Sequence, residues 1–435
     1  MTKVLKFGGT SVGSAANMKR VAEIIRREKA RITVLSAMSG TTDALVRIVS
    51  AAAENDQNTI DERIGMLTEK YTTCIEGLLN RYKQEALNRM QATFELIRNE
   101  TSNFREYTSE RKIIAQGELL TSAIFTFYLN ETGTKAVCLN SPDFMVTDQE
   151  EKVDTKRLSE ALAPVAADPD TFYVAQGFIC TNNKGEIDNL GRGGSDYSAA
   201  LMGAAIGASE VQIWTDIDGM HNNDPRFVEH TYPIRNMSFD EAAELAYFGA
   251  KILHPATIQP CKDKCIPVML KNTMDPDAPG TTISNCDDNS KSFHAVAAKD
   301  GITVIRIHSA RMLMAYGFLR KVFEIFEQYR TPIDMITTSE VAVSLTVDSD
   351  KHLNEIVAEL EKLGTIEIER NNSIVCVVGR MEHGDAGLAA RVFESIRKIP
   401  IKMISYGASH RSLAILIATE QKKQTLQSLN DGLFQ

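Results

Sequence analysis

The chain opens with alternating strand and helix patterns, and that alternation is what most restricts its fold. Apolar Val4-Leu5 runs into Lys6-Phe7-Gly8-Gly9-Thr10-Ser11. Hydrophobic periodicity predicts strands over 3–7 and 32–36 and helices over 17–27 and 43–53. Strands separated by helices pair in parallel, because a parallel neighbour needs a long crossover connection. The pattern continues with a helix over 110–129, stopped near Gly133, and strands over 136–139, 172–179 and 211–214. Residues 61–99 read as helical throughout, with Ile64, Leu67, Tyr71, Ile75, Leu78 and Leu79 at apolar spacing, an inserted helical hairpin packed on the sheet. The expected first domain, 1–285, is therefore α/β, an open and mostly parallel sheet flanked by helices.

The turn at Gly8-Gly9 has two readings. Paired glycines at a strand–helix junction make a tight turn. They also leave backbone N–H groups at a helix start, where the dipole favours an anion and Lys6 adds a full charge. The spacing matches neither a P-loop nor a dinucleotide fingerprint. A net charge of −9 excludes nucleic acid as a main partner, since a phosphate-backbone reader needs a basic surface. The seven cysteines are scattered; only Cys261 and Cys265 lie close, and no zinc-ligand set surrounds them, so buried free thiols and no structural metal are expected. No signal peptide and no membrane-length apolar window is read, which implies a cytoplasmic protein without a membrane partner.

Composition turns to loop near 276–280, and 284–292 reads as a linker. Beyond it lies an internal repeat. Gly317-Phe318-Leu319-Arg320-Lys321-Val322-Phe323-Glu324 leads to Pro332-Ile333-Asp334-Met335-Ile336. Seventy positions on, Gly387-Leu388-Ala389-Ala390-Arg391-Val392-Phe393-Glu394 leads to Pro400-Ile401-Lys402-Met403-Ile404. Alternating strands follow at 341–347 and 413–417. Each copy reads in outline as strand–helix–strand–strand–helix–strand, a ferredoxin-like α+β unit over 293–370 and 371–435, with 293–300 free to pair with the second copy. Such a tandem pairs its sheets to cover unpaired edges. It serves either dimerisation or the sensing of a small ligand.

A second glycine turn, Leu190-Gly191-Arg192-Gly193-Gly194-Ser195-Asp196, again opens a helix, with Arg192 able to grip a carboxylate or phosphate through two parallel hydrogen bonds. Trp214-Thr215-Asp216-Ile217-Asp218-Gly219 ends a strand in carboxylates, Asn223-Asp224-Pro225-Arg226 follows, and Phe248-Gly249-Ala250-Lys251 adds a second lysine. Together with GELLTS at 117–122, QGFI at 176–179 and HPAT at 254–257, these segments resemble the aspartate kinase family along the whole chain, the repeat matching its tandem ACT regulatory units. The resemblance implies a monofunctional member with the amino-acid kinase fold.

What it implies about chemistry is specific. The activity would be Mg2+- and ATP-dependent phosphorylation of the L-aspartate side-chain carboxylate, the first step toward lysine, threonine and methionine. Lys6 would stabilise the transferring phosphoryl group and Asp196 would hold the catalytic lysine arrangement. Arg192 would pair with the substrate α-carboxylate and Glu118 would receive its ammonium, with Thr42, Gly193 and Ser195 beside them. Gly8, Gly9, Thr215, Asp216, Arg226 and Lys251 would form the nucleotide side. His221 stands where the family often has tyrosine, and His254 reads as a packed core histidine. Mg2+ would arrive with the nucleotide rather than on a protein site. Competing readings are an amino-acid kinase of other specificity and a catalytically silent amino-acid sensor.

The regulatory half most resembles the lysine-sensing branch, through MLMAYGFL at 312–319 and IDMITTSEV at 333–341. Met312, Phe318, Leu319 and Ile333 would hold the effector's backbone groups, and Asp334, Ser339 and Glu340 its polar side chain. Met314 and Ala315 replace residues that are commonly polar in that branch, so threonine stands beside lysine as effector. A homodimer, or a dimer of dimers, through the ACT units is the expected assembly.

Overall fold

The computed structural model describes residues 2–191, 193–249, 253, 255–286, 292–312, 316–381 and 387–434. The chain forms two compact units. The first comprises residues 1–220, 235–239 and 253–287, and the second comprises 221–234, 240–252 and 288–435.

The first unit is built on an eight-stranded sheet. Its spatial order is Ala136–Cys138, Phe172–Gln176, Ala30–Leu35, Lys3–Phe7, Glu210–Thr215, Val268–Asn272, Thr281–Ser284 and Asn236–Ser238. The first six are parallel and only Thr281–Ser284 runs against its neighbour Val268–Asn272. The chain starts in the middle, builds outward on one side, and returns to the other side at Glu210–Thr215. The strand order therefore reverses between Lys3–Phe7 and Glu210–Thr215, and open α/β sheets bind ligands outside the carboxyl ends of strands at such a point. Ser14 caps the helix Ala15–Glu28 by accepting from the Asn17 N–H, which fixes where the chain leaves the glycine turn.

In this unit the expected helical hairpin is present and one strand expectation changes. The stretch 61–99 is two helices, Gln57–Leu78 and Lys83–Ser102, because the chain breaks at 79–82, where the Glu131 carboxylate accepts from the Asn80 and Tyr82 N–H groups. The strand expected over 172–179 ends at Gln176 and resumes as Ile179–Thr181 in a small hairpin with Ile187–Asn189. Gly177 lies against Ser195, where a Cβ would come within 2.6 Å of the serine Cβ, and Phe178 adopts φ 71. That left-handed residue turns the chain out of the sheet. The helices Gln57–Leu78, Lys83–Ser102 and Glu106–Glu131 share one core with the sheet, including Tyr71, Phe94, Ile113, Phe125 and Trp214.

The second unit holds a six-stranded antiparallel sheet ordered Ile336–Thr338, Ala342–Val347, Phe293–His308, Thr365–Gly379, Ser412–Ala418 and Met403–Tyr406. Its two central strands are 16 and 15 residues long, and each serves both repeats. Residues 302–308 pair with 365–372 in the first copy, and 293–299 pair with 374–379 in the second, the register shifting around Gly301. In the second copy the helix Lys422–Leu433 follows the strand Ser412–Ala418, and 293–299 pairs with 374–379 as a strand of that copy's sheet. Helices Phe318–Gln328 and Leu353–Leu360 cover one core, and Leu388–Ser395 and Lys422–Leu433 another.

Cys74, Cys180, Cys261 and Cys376 are buried free thiols, whereas Cys138, Cys265 and Cys286 are exposed, so burial accounts for only part of the set. Among the described residues no helix is long and apolar enough to cross a membrane.

Candidate functional site

Lys6 is the penultimate residue of the first strand, at the point where the strand order reverses. Its Nζ lies 2.7 Å from Asp196 Oδ1, with both side chains 13% exposed. Asp196 stands in the first turn of the helix Gly194–Ala205, where the helix dipole favours a carboxylate. Gly191 and Gly193 reach that helix through positive φ of 71 and 73, a turn that a side chain would strain. The carboxylate therefore holds the lysine ammonium across the ends of two elements far apart in sequence.

The paired glycines have different reasons. At Gly9 a Cβ would lie 2.8 Å from the Ala37 carbonyl and 3.3 Å from the Ser39 N–H, which donates to the Gly9 carbonyl; close packing of two turns requires glycine there. At Gly8 a Cβ would meet nothing closer than Lys6 Nζ at 3.8 Å, so glycine there keeps the approach to the ammonium open.

Glu118, in the helix Glu106–Glu131, is 4% exposed. Its Oε1 accepts from the Ala37 N–H at 3.2 Å, while Oε2 is buried with no hydrogen-bond partner among the described residues. Burial raises its carboxyl from the usual 4.5 to about 7. A buried carboxylate without a cation is costly, and the arrangement suits a group that gains its counter-charge from a bound ligand. Gly117 lets this helix press on the 37–45 segment, since a Cβ there would come within 2.8 Å of the Ala37 Cβ. Thr121 accepts from the Met38 N–H and joins Tyr71 and Thr41 in a buried hydroxyl chain with spacings of 3.2 and 3.3 Å. Thr42 itself is exposed, and its buried neighbour Thr41 makes the structural contacts.

Ser36 Oγ donates to Ser195 Oγ at 3.1 Å, tying the second strand's end to the glycine turn. Lys70 Nζ donates to the Ser39 carbonyl, and burial lowers its pKa. The sequence reading missed Lys70, Ser36, Tyr71 and Thr121. Lys70 sits in an amphipathic helix with no local motif to mark it.

On the other side of the strand-order reversal, Thr215 Oγ1 donates to the exposed Asp216 at 3.1 Å, and the Thr215 carbonyl accepts from the Thr273 N–H. Thr273 and Ser11 share a buried hydroxyl contact of 2.7 Å, which binds this edge to the glycine turn. Lys6, Gly8, Gly9, Thr42, Glu118, Gly193, Ser195, Asp196, Thr215 and Asp216 all fall in the first unit. Arg192, Lys251 and His254 lie outside the described residues. Arg226 folds in the second unit, where Asp224 accepts from its Nε at 2.9 Å and its Nη2 at 2.6 Å. His221 is there too, bonded through Nδ1 to Thr231 Oγ1 at 3.1 Å.

Of the residues matched to an effector site, Phe318 is buried in the core of the first copy of the repeat, with Met312 and Ile333 packed against it. Leu319 is exposed, and Ser339 and Glu340 are exposed in the turn before Ala342–Val347. Asp334 has a side chain only 2% exposed. Its Oδ1 accepts from Lys299 Nζ at 2.7 Å and Tyr247 Oη at 2.8 Å, while Oδ2 is buried with no hydrogen-bond partner among the described residues. Lys299 also reaches Asp348 at 2.8 Å. Burial and the Asp334 charge push the Tyr247 hydroxyl well up. Sequence reasoning missed Lys299 and Tyr247. Met314 and Ala315 lie outside the described residues.

Residues 1–272 match the amino acid kinase family and residues 375–433 match an ACT domain. The chain is 34% identical over its full length to aspartokinase 1, chloroplastic, of Arabidopsis thaliana, covering 80% of that protein. It is likewise 34% identical to lysine-sensitive aspartokinase 3 of Escherichia coli, with 99% of both chains covered. In structure it resembles E. coli aspartokinase III in complex with aspartate and ADP, at a TM-score of 0.89, 33% identity and full coverage of both chains. The same enzyme in complex with lysine and aspartate gives a TM-score of 0.83 at 34% identity, again with full coverage of both. On sequence and structure together, the chain belongs to the aspartokinase family.

Proposed function

We propose that this chain transfers the γ-phosphoryl group of ATP to the side-chain carboxylate of L-aspartate, giving 4-phospho-L-aspartate and ADP. The observation that carries the reading is the Lys6–Asp196 pair, 2.7 Å apart at the reversal of strand order. A carboxylate oxygen attacks the γ-phosphorus as the bond to the β-phosphate oxygen breaks. The attacking group is already ionised, so no general base is needed. The task is to bring two anions together and to place positive charge where it spreads over the transferred oxygens. Lys6, oriented by Asp196, supplies that charge, and the open backbone at Gly8 lets the phosphate approach. Mg2+ bound to the nucleotide phosphates would neutralise further charge.

Glu118 supports the substrate assignment, because a buried carboxylate oxygen with no partner among the described residues suits the aspartate ammonium. Arg192 is assigned to the α-carboxylate, with Thr42, Gly193 and Ser195 beside it. Gly9, Thr215, Asp216, Arg226 and Lys251 are assigned to the nucleotide side. Residues 1–285 are read as the catalytic domain and 293–370 and 371–435 as ACT regulatory units, associating into a homodimer or a dimer of dimers.

The effector we favour is lysine, acting on the first step of its own biosynthesis and that of threonine and methionine. The similarity to a lysine-sensitive relative supports this. So does the unpartnered Asp334 Oδ2, an acceptor for a ligand ammonium, with Met312, Phe318, Leu319, Ile333, Ser339 and Glu340 completing the site. The deciding experiment traps the acyl phosphate as its hydroxamate, with aspartate beside glutamate, with and without ATP and Mg2+, and with lysine or threonine added. Product from aspartate alone, reduced by lysine, is the expected result. No hydroxamate from aspartate would overturn the catalytic reading, and insensitivity to lysine the regulatory one.

A further inference from the structure

Within the second unit the two copies of the repeat carry opposite charge at matched positions. Asp334 in Pro332-Ile333-Asp334-Met335-Ile336 corresponds to Lys402 in Pro400-Ile401-Lys402-Met403-Ile404. Each is met by a charged residue of a long central strand. Lys299 pairs in the sheet with Ile374, and Glu369 with Val304, which stands seventy positions before Ile374, the offset of the repeat. In the first copy two acids share one cation. Lys299 Nζ lies 2.7 Å from Asp334 Oδ1 and 2.8 Å from Asp348 Oδ2, and 4.6 Å over the Tyr247 ring, whose hydroxyl also donates to Asp334 Oδ1. Asp334 Oδ2 is buried with no hydrogen-bond partner among the described residues. In the second copy two cations share one acid. Glu369 Oε1 accepts from Lys402 Nζ and Oε2 from Arg306 Nη1 at 2.8 Å, while Lys402 also donates to Asn372 Oδ1 at 2.6 Å. The first cluster therefore has one negative charge in excess and the second one positive charge.

We propose that Lys299 and Asp348 set the affinity of the effector site for a ligand ammonium: Lys299 is a built-in competitor that holds one Asp334 oxygen, and Asp348 offsets its charge so that the other oxygen stays attractive to a cation. This rests on the assignment of the effector's side-chain ammonium to Asp334. A cation arriving at Oδ2 meets two carboxylates and one fixed ammonium. Lys299 cannot step aside freely, because Asp334, Asp348 and the Tyr247 ring all hold it. Where water screens poorly, adding or removing one unit charge in contact range changes the affinity for a cation by about tenfold. The matched cluster in the second copy has the reverse sign and both Glu369 oxygens engaged, so it repels an ammonium. The difference between the copies is thus one of charge balance at equivalent positions of the same fold.

The test measures the Kd of L-lysine for the full chain by isothermal titration calorimetry. Lys299→Met keeps an unbranched apolar stem against Tyr247 and removes the competing charge, so the Kd should fall about fivefold to thirtyfold. Asp348→Asn removes the offsetting carboxylate and should raise the Kd by a similar factor. The double variant Lys299→Met/Asp348→Asn regains the parent's charge balance and should bind within about threefold of the parent, a restoration that a merely structural role would not produce. Lys299→Arg keeps the charge and should also stay within about threefold. If Lys299→Met binds lysine no more tightly than the parent, or the double variant follows either single variant, the charge-setting role is wrong. If the parent binds no lysine, or Asp334→Asn binds it as well as the parent does, the effector assignment fails and the inference falls with it. Should Lys299→Met unfold, Asp348→Asn decides, since that side chain is 36% exposed and its loss leaves the Lys299–Asp334 pair in place; an unchanged Kd there overturns the proposal.

Discussion

Replacing Glu118 by glutamine separates what this residue costs the fold from what it does for substrate. Its carboxyl is 4% exposed, and burial raises it from 4.5 to about 7. The folded chain therefore holds this proton more tightly than the unfolded chain. The residue's stabilising contribution is full below about pH 4.5 and is lost as the pH rises through about 7. At about 1.4 kcal/mol per pH unit, that interval corresponds to ~3 kcal/mol of lost stability at pH 8. Glutamine resembles the protonated acid: it keeps an acceptor for the Ala37 N–H and carries no charge. The variant should be more stable than the parent by up to ~3 kcal/mol at pH 8, with the gap closing toward pH 5. Trp214 is the only tryptophan and is buried in the first unit, so its fluorescence in a urea titration follows the unit that matters. A midpoint rise of about 1 M urea at pH 8 is the expected size. The same substitution removes a charged partner for the aspartate ammonium and should raise the KM for aspartate by about 10- to 100-fold. Stability and affinity thus move in opposite directions, as they do where a site is strained for its ligand. Equal midpoints at pH 8, or an unchanged aspartate KM, would refute the reasoning.

Lys6→Ala should lower kcat by at least about 10²-fold in the hydroxamate assay, the scale of removing one positioned transition-state contact. A near-normal rate would remove Lys6 from the mechanism. Asp334→Asn keeps the size of the side chain but removes its charge. The lysine concentration for half-inhibition should then rise about 10-fold or more, and an unshifted inhibition curve would place the effector ammonium elsewhere.

What was legible in the sequence depended on distance along the chain. The first strand, the glycine turn and the helix after it could be read because each is set by neighbouring residues, and Lys6 followed from them. Asp196 was legible as a helix-start carboxylate, but its contact with Lys6 bridges 190 positions and only the fold brings it within 2.7 Å. Glu118 lies inside a helix, where its neighbours Ala115, Leu119 and Ser122 suggest only a partly buried stripe, and its role came from the family resemblance. Its burial and its unpartnered oxygen are tertiary facts. Lys299 was invisible for the same reason. It belongs to the central strand Phe293–His308, and its partners Asp334 and Asp348 come from a different part of the repeat. The strand over 172–179 failed because Ser195, distant in sequence, occupies the space beside Gly177 and the chain turns away.

The repeat was legible as a repeat, yet its copies are not separable objects. The strand Thr365–Gly379 crosses the expected boundary at 370/371, and the second copy's sheet is completed by 293–299, the opening residues of the first copy's expected range. A fragment of 371–435 would therefore expose the edge of Ile374–Gly379, six register pairs of which lie against 293–299 in the intact chain. It would also uncover Val375 and Val377, which are fully buried. An unpaired, flat, apolar edge seeks another strand. The fragment 371–435 should accordingly form oligomers or aggregates, whereas 293–435, which carries both long strands, should give a cooperative thermal transition. Sedimentation of the two fragments, alongside circular dichroism, distinguishes them. A monomeric 371–435 with cooperative unfolding would mean that the second copy closes its sheet without the borrowed strand.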